Sequence, residues 1–134
     1  MHCEGLITYE PLGTEPDWRA IPEFAHIPVL YTVPQDSAQN PFVLAEMLCT
    51  QYLQQRIAVL VPGQLFDKEG TRHGRGGGWY DRFLSALPTS WIRIGICTTE
   101  HYSESSLIKQ EWDQSMDILY IQELASSWRV LSVS

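Results

Sequence analysis

The chain has no long apolar run, few cysteines and few basic residues. No segment approaches the roughly 18 consecutive apolar residues that a membrane-spanning helix needs. The N-terminus lacks a basic region followed by an apolar core, so the sequence indicates neither a signal peptide nor a membrane protein. The three cysteines, Cys3, Cys49 and Cys97, are odd in number and have no CxxC spacing. This pattern predicts reduced thiols in a cytoplasmic protein.

Acidic residues outnumber basic ones. The 134 residues include 16 Asp and Glu against 9 Lys and Arg, which gives a net charge of −7. Such an acidic balance argues against binding to nucleic acid or to anionic membranes, although it leaves a local anion site open. The apolar content of 44% and the charged content of 19% are typical of a globular protein. The length predicts a single domain over residues 1–134.

Short apolar runs alternate with helical patterns along the chain. The runs predict strands over residues 6–9, 28–33, 57–61, 91–97, 117–121 and 128–133. This alternation predicts an α/β fold, with an open, mostly parallel sheet flanked by helices. Ligands of such sheets bind beyond the carboxyl ends of the strands.

Two helices are predicted. The first begins at Asn40-Pro41, with Asn40 as the N-cap and proline at the first helical position. We expect its apolar residues to form one face: Val43, Leu44, Met47, Leu48 and Leu53. The second covers residues 80–87 and stops before Pro88.

Residues 66–83 are the most distinctive stretch of the chain. They include five glycines and four of the nine basic residues, namely Lys68, Arg72, Arg75 and Arg82. Glycine lets main-chain N–H groups approach an anion closely, and arginine neutralises the anion with two parallel hydrogen bonds. The stretch therefore indicates a phosphate-binding site on an otherwise acidic protein.

The glycine stretch matches neither of two common phosphate-binding motifs. It has no Gly-Lys-Ser/Thr of a P-loop, and Trp79 stands where a dinucleotide fingerprint starting at Gly74 would need its third glycine. Its glycines lead directly into the second predicted helix, whose N-terminal N–H groups favour an anion. Asp81 follows at once, where a carboxylate beside a polyphosphate can hold Mg²⁺. The alternative is a flexible surface loop with incidental charges.

The stretch over residues 59–84 closely resembles the signature of the 5-formyltetrahydrofolate cyclo-ligases, also called methenyltetrahydrofolate synthetases. The matching positions are Pro62, Gly63, Phe66, Asp67, Gly70, Arg72, Gly74, Gly76, Gly78, Tyr80, Asp81, Arg82 and Leu84. Weaker similarities lie on either side of it. They are Tyr9 and Glu15 before the signature, and Ile94-Gly95, Asp113, Asp117 and Glu123 after it.

The resemblance implies a shortened cyclo-ligase fold and an ATP- and Mg²⁺-dependent reaction. In it, ATP phosphorylates the formyl oxygen of 5-formyltetrahydrofolate, and ring closure then gives 5,10-methenyltetrahydrofolate, ADP and phosphate. The residues implied to cradle the ATP phosphates are Arg72, His73, Gly74, Arg75, Gly76, Gly77, Gly78, Trp79 and Tyr80, with Arg75 and Tyr80 as the catalytic pair. Asp81 and Asp113 would bind Mg²⁺, and Glu15 would face the reduced folate.

Several of these residues have simpler alternative roles. Arg82 could pair with an acidic residue, and Asp113 could cap a turn. Trp79 and Tyr80 could pack in the core instead of against a ligand. His73 lacks the spacing to a second His or Cys that a transition-metal site requires.

The chain also departs from the family pattern. It begins at what resembles the strand after the family's N-terminal helical segment, which carries a Lys and an Arg that contact ATP. The middle of the chain is short, with 27 residues between Pro34 and Pro62. His101 stands where the family usually has Gln, and Trp112 stands where a polar residue or His is usual. Three hypotheses follow. The chain is a shortened cyclo-ligase whose site is completed by other residues, by a homo-oligomer or by a partner subunit. Alternatively, it is a non-catalytic paralogue that binds a nucleotide, phosphorylated metabolite or folate, or it is a fragment or structural subunit.

Overall fold

The computed structural model describes residues 2–35 and 38–133. Short strands and two α-helices alternate along them. The strands are β1 (Gly5–Tyr9), β2 (Val29–Val33), β3 (Ile57–Val61), β4 (Leu65–Asp67), β5 (Arg72–His73), β6 (Ile92–Thr98), β7 (Tyr102–Ser103), β8 (Ile118–Leu124) and β9 (Ser127–Ser132). The helices are α1 (Pro41–Tyr52) and α2 (Trp79–Ser85). No helix within these ranges is long and apolar enough to cross a membrane.

Six strands form one sheet in the order β2-β1-β3-β6-β8-β9. The first five pair in parallel, and β9 runs antiparallel to β8 at the edge. Every residue of β1 and β3 is buried, as expected of parallel strands that are covered on both faces. The predicted α/β class with its mostly parallel sheet is confirmed, and the six predicted strands occur with ends shifted by a few residues at most.

The two faces of the sheet are covered differently. Helices α1 and α2 pack on one face, where Leu44, Leu48 and Phe83 join the apolar side chains of the central strands. The other face is covered by the segment that contains two 3₁₀ helices, Trp18–Ala20 and Pro22–Phe24. The α-helices in the described ranges therefore lie on one side of the sheet.

Helix α1 begins as predicted, but the predicted apolar face is wrong. The Asn40 side-chain oxygen accepts hydrogen bonds from the backbone N–H groups of Phe42 (2.9 Å) and Val43 (3.3 Å), as an N-cap should. The buried residues of the helix are Pro41, Leu44, Ala45 and Leu48, while Val43, Met47 and Leu53 are exposed. The helix carries apolar residues on two sides, so side-chain type alone did not identify the side that faces the sheet.

A second, smaller sheet holds part of the glycine stretch. It consists of β5, β4 and β7 in that order, with β4 antiparallel to β5 and parallel to β7. These strands have two or three residues each, which is too short for an alternating pattern to be recognised in the sequence. The small sheet brings residues 65–73 and 102–103 together near the carboxyl end of β3.

Gly95 gives a test of this packing. A Cβ atom at this position in β6 would lie 2.5 Å from Cε1 of Phe66 and 2.8 Å from Cδ2 of Leu119. We expect Gly95→Ala to lower the free energy of unfolding by about 1–3 kcal/mol, because the buried Phe66 ring cannot move away without strain. Urea denaturation measures the change.

Gly77→Ala is the matched control, because a Cβ there would meet nothing within 4 Å. It should change the free energy of unfolding by less than about 0.5 kcal/mol. Equal effects of the two substitutions would contradict the close packing of Phe66 on β6.

Candidate functional site

A cleft of about 550 Å³ opens beyond the carboxyl ends of β1, β2 and β3. Its walls come from the segments that follow these strands, from residues 72–81 and from residues 108–113. All the residues that the sequence analysis assigned to the site line it: Glu15, Arg72, His73, Gly74, Arg75, Gly76, Gly77, Gly78, Trp79, Tyr80, Asp81 and Asp113. The structure thus brings together residues that lie up to 98 positions apart in the sequence.

Arg72 lies at the floor of the cleft. Its side chain is 7% exposed, its Nε donates a 2.6 Å hydrogen bond to the Pro62 carbonyl, and its guanidinium carbon lies 5.0 Å from the centre of the Tyr80 ring. Burial lowers the pKa of Arg72, and the nearby carboxylates, Asp81 most strongly, oppose this shift. The guanidinium nonetheless remains charged, since arginine does not deprotonate in proteins.

The terminal nitrogens of Arg72 have no protein partner among the described residues. No carboxylate of these residues lies within 4.0 Å of them, and no carbonyl accepts a hydrogen bond from them. A buried cation without a direct counter-charge is costly. In this position it forms a preorganised binding point for an anion that enters the cleft.

Arg75 and Glu15 form the second charged feature. Arg75 Nη2 lies 3.6 Å from Glu15 Oε2, and the other Glu15 oxygen accepts a 2.7 Å hydrogen bond from the backbone N–H of Leu12. Glu15 is largely buried, whereas the Arg75 side chain is 56% exposed. The carboxylate is therefore fixed, while the arginine can turn from it towards a bound anion.

The glycine run shapes the rim of the cleft. Gly78 has φ +70° and precedes α2 directly, in a backbone conformation that side-chain-bearing residues rarely adopt. The first N–H groups of α2 have no partner within the helix. Arg82 Nη1 donates a 2.9 Å hydrogen bond to the Gly77 carbonyl and so stabilises this turn; it forms no ion pair with any described residue.

Trp79 and Tyr80 belong both to the core and to the cleft. Their rings pack at 5.1 Å from each other, and the Trp79 ring lies 5.1 Å from Phe83. Trp79 Nε1 donates a 2.8 Å hydrogen bond to the Gln39 carbonyl. Burial raises the pKa of Tyr80, so its phenol stays protonated and can donate a hydrogen bond to a ligand at neutral pH.

Asp81 and Asp113 are the carboxylates predicted to bind Mg²⁺. Asp81 Oδ1 accepts a 3.0 Å hydrogen bond from the backbone N–H of Gln114, and Asp113 Oδ2 accepts one of 2.9 Å from that of Gln110. Asp113 therefore does cap a turn. The second oxygen of each carboxylate accepts no hydrogen bond from the described residues.

A complete metal site is not built by the protein alone. Within residues 2–35 and 38–133, no three His, Cys, Asp or Glu side chains are grouped closely enough to hold a metal ion. Mg²⁺, however, is commonly held by one or two carboxylates together with substrate phosphates and water. Asp81 and Asp113 fit that arrangement, because one oxygen of each carboxylate accepts no hydrogen bond from the described residues.

The charges that line the cleft are unbalanced. Of the described residues that line it, two are arginines, Arg72 and Arg75, and four are carboxylates, which are Glu10, Glu15, Asp81 and Asp113. His73 does not add a free donor at Nε2, because this nitrogen donates a 2.7 Å hydrogen bond to the Ile108 carbonyl. A polyphosphate would be repelled by this set of carboxylates unless a divalent cation accompanied it.

The role of Asp67 was not predicted from the sequence. This residue is completely buried, and its Oδ1 accepts 2.9 Å hydrogen bonds from the N–H groups of Glu69 and Thr71. Its Oδ2 accepts one of 2.8 Å from Leu107. Asp67 thereby shapes the turn before Arg72. It also attaches the loop over residues 107–114, here called the distal loop, which carries Asp113. Its place inside the glycine-rich signature was the available signal.

Arg93 was missed as well. Its guanidinium donates hydrogen bonds of 2.8–3.4 Å to carbonyls at and beyond the end of α2, those of Leu84, Leu87, Pro88 and Trp91. Arg93 thereby attaches helix α2, which follows the glycine run, to strand β6. A single charged residue within an otherwise apolar strand is a signal that could have identified it.

Three comparisons relate the chain to known proteins. The sequence model of the 5-formyltetrahydrofolate cyclo-ligase family matches residues 34–122. A 5-formyltetrahydrofolate cyclo-ligase of Mycoplasma genitalium is 34% identical over 59 residues, which are 44% of this chain and 34% of the relative. The match thus covers about a third of that curated relative's length.

Two solved structures share the fold. A 5,10-methenyltetrahydrofolate synthetase from Mycoplasma pneumoniae aligns with a TM-score of 0.59 at 22% identity, covering 89% of this chain and 72% of that one. The Aquifex aeolicus 5,10-methenyltetrahydrofolate synthetase aligns with a TM-score of 0.63 at 19% identity, covering 98% and 72%. The predicted cyclo-ligase fold and the family resemblance are confirmed.

Proposed function

Because the chain belongs to the 5-formyltetrahydrofolate cyclo-ligase family, we propose that it converts 5-formyltetrahydrofolate and ATP into 5,10-methenyltetrahydrofolate, ADP and phosphate. The observation that carries this proposal is the guanidinium of Arg72, which is buried at the floor of the cleft and has no carboxylate of the described residues within 4.0 Å. A phosphate group of ATP would provide the counter-charge. The glycine run at the rim supports the same ligand through its backbone N–H groups.

The reaction needs two steps. In the first, the formyl oxygen attacks the γ-phosphorus of ATP, an O–P bond forms and the bond to ADP breaks. In the second, N10 attacks the formyl carbon, a C–N bond forms, and the C–O bond breaks as phosphate leaves with the former formyl oxygen. The N10 proton leaves with the phosphate. Such a transfer depends on positioning and charge neutralisation, so it requires no protein nucleophile.

We assign Arg72, Arg75 and Tyr80 to the phosphoryl group. Arg72 binds a phosphate at the floor of the cleft. Arg75 turns away from Glu15 and pairs with the negative charge that develops on the phosphates during the transfer. The protonated phenol of Tyr80 donates a hydrogen bond, since burial raises its pKa. His73 contributes indirectly, by fixing the loop at Ile108.

Mg²⁺ would be held between the phosphates and the free oxygens of Asp81 and Asp113. When bound, it would offset the excess of carboxylates in the cleft and neutralise charge on the phosphates. Glu15 would accept hydrogen bonds from N–H groups of the reduced folate, since its carboxylate is fixed by Leu12.

A second candidate function is binding without catalysis, as in a non-catalytic paralogue that takes a nucleotide, a phosphorylated metabolite or folate. The observation that favours it is the small number of cations, because the described cleft residues include only two arginines. The solved relatives are also longer, since this chain covers 72% of each. A homo-oligomer or a partner subunit could supply further cationic groups.

We predict that Mg-ATP raises the melting temperature of the protein. At a ligand concentration about 100 times the Kd, binding stabilises the fold by about 2.7 kcal/mol, which is a rise of roughly 5–10 °C for a domain of this size. Thermal denaturation followed by circular dichroism measures it. ATP with EDTA should give a much smaller rise, because the four carboxylates of the cleft are then not offset.

Arg75→Ala should remove most of the rise that Mg-ATP causes. Arg19→Ala is its matched control, since Arg19 is also about half exposed (55%) and also pairs with a carboxylate, that of Asp17, outside the cleft. The control should keep the full rise. Failure of every nucleotide to shift the melting temperature would contradict the ATP-dependent reaction and nucleotide binding by a non-catalytic paralogue.

Formation of 5,10-methenyltetrahydrofolate distinguishes the two candidates. Its absorbance should appear when 5-formyltetrahydrofolate, ATP and Mg²⁺ are mixed with the protein, and should not appear when ATP is omitted. Arg72→Met, which keeps an unbranched stem but removes the charged guanidinium, should lower kcat by about 100-fold or more. A protein that shows the Mg-ATP thermal shift but produces no absorbance would be the non-catalytic paralogue.

A further inference from the structure

Two apolar side chains at the mouth of the cleft are unusually exposed. Ile108 is 76% exposed and Trp112 is 66% exposed, and both line the cleft. The residues between them, Lys109, Gln110 and Glu111, are polar. Exposing a tryptophan to water is unfavourable, and neither the proposed phosphate contacts nor the metal contacts use these two side chains.

The loop that carries them is fixed to the signature residues on both sides. Before Ile108, the Leu107 N–H donates to Asp67, and the Ile108 carbonyl accepts from His73. After Trp112, the Gln114 N–H donates to Asp81. Trp112 is therefore presented at the cleft mouth by an anchored backbone, and its exposure does not result from a missing attachment.

We propose that Trp112, with Ile108 beside it, forms the binding surface for the flat ring of the ligand whose charged or reacting part lies deeper in the cleft. The proposal rests on the proposed function and deepens it. Both proposed substrates carry a planar ring, namely the adenine of ATP and the pyrimidine half of the reduced pterin. Stacking of a base on an aromatic side chain raises affinity by roughly 5- to 150-fold.

The position of Trp112 agrees with this role. It is next to Asp113 in the sequence, and Asp113 lines the cleft together with Asp81 and Arg72. A ring on the Trp112 indole would thus lie at the outer end of a ligand whose polar part reaches the charged residues inside.

Calorimetric titration tests the proposal. The ligands are Mg-ATP, Mg-tripolyphosphate, which has the phosphates without a ring, and 5-formyltetrahydrofolate. Trp112→Ala should raise the Kd of at least one ring-bearing ligand about tenfold and change that of tripolyphosphate less than twofold. Trp112→Phe, which keeps an aromatic ring, should stay within about threefold of the unmodified protein. The ligand affected identifies the ring, adenine or pterin.

The control is Leu124→Ala, because Leu124 is an exposed apolar residue that does not line the cleft; it should leave every Kd unchanged. Unchanged binding of both ring-bearing ligands by Trp112→Ala would overturn the stacking proposal alone. An equal loss for tripolyphosphate would also overturn it, because Trp112 would then act through the loop. If the unmodified protein bound none of the three ligands, the proposed function would fail as well.

Discussion

The buried guanidinium of Arg72 is the constraint on which the site depends. Its Nε is tied to the Pro62 carbonyl, one face lies over the Tyr80 ring, and its terminal nitrogens have no direct partner among the described residues. Because Arg72 lines the cleft, an anion that enters the cleft can pair with these nitrogens directly. The rest of the cleft is consistent with such a ligand, since glycine amides form its rim and carboxylates suited to a divalent cation stand nearby.

The glycine-rich signature also holds the distal loop in place. Asp67 binds the loop at Leu107, Gly70 accepts a 2.8 Å hydrogen bond from Met116, and Asp81 binds Gln114. Asp113 and Trp112 reach the cleft through these attachments. A single stretch of sequence therefore supplies the proposed phosphate-binding groups and also positions Asp113 and Trp112 on the opposite wall of the cleft.

The sequence was sufficient for the sheet, because buried parallel strands are continuous apolar runs. It also indicated where the cleft lies, because ligands of such sheets bind beyond the carboxyl ends of the strands. It was insufficient for the small strands β4, β5 and β7, which are shorter than any repeating pattern. It also misidentified the buried side of α1, since Val43 and Met47 are apolar but exposed. The sequence marks Asp67 and Arg93 as unusual, but their hydrogen-bond partners are backbone groups that only the folded chain brings near.

A crystal structure of the protein with Mg²⁺ and a non-hydrolysable ATP analogue tests the central claim most directly. We expect a phosphate oxygen within hydrogen-bonding distance of the terminal nitrogens of Arg72, the phosphate chain along residues 74–78 and Asp81 among the ligands of the metal ion. An analogue bound elsewhere, or bound in the cleft with Arg72 still lacking an anionic partner, would contradict it.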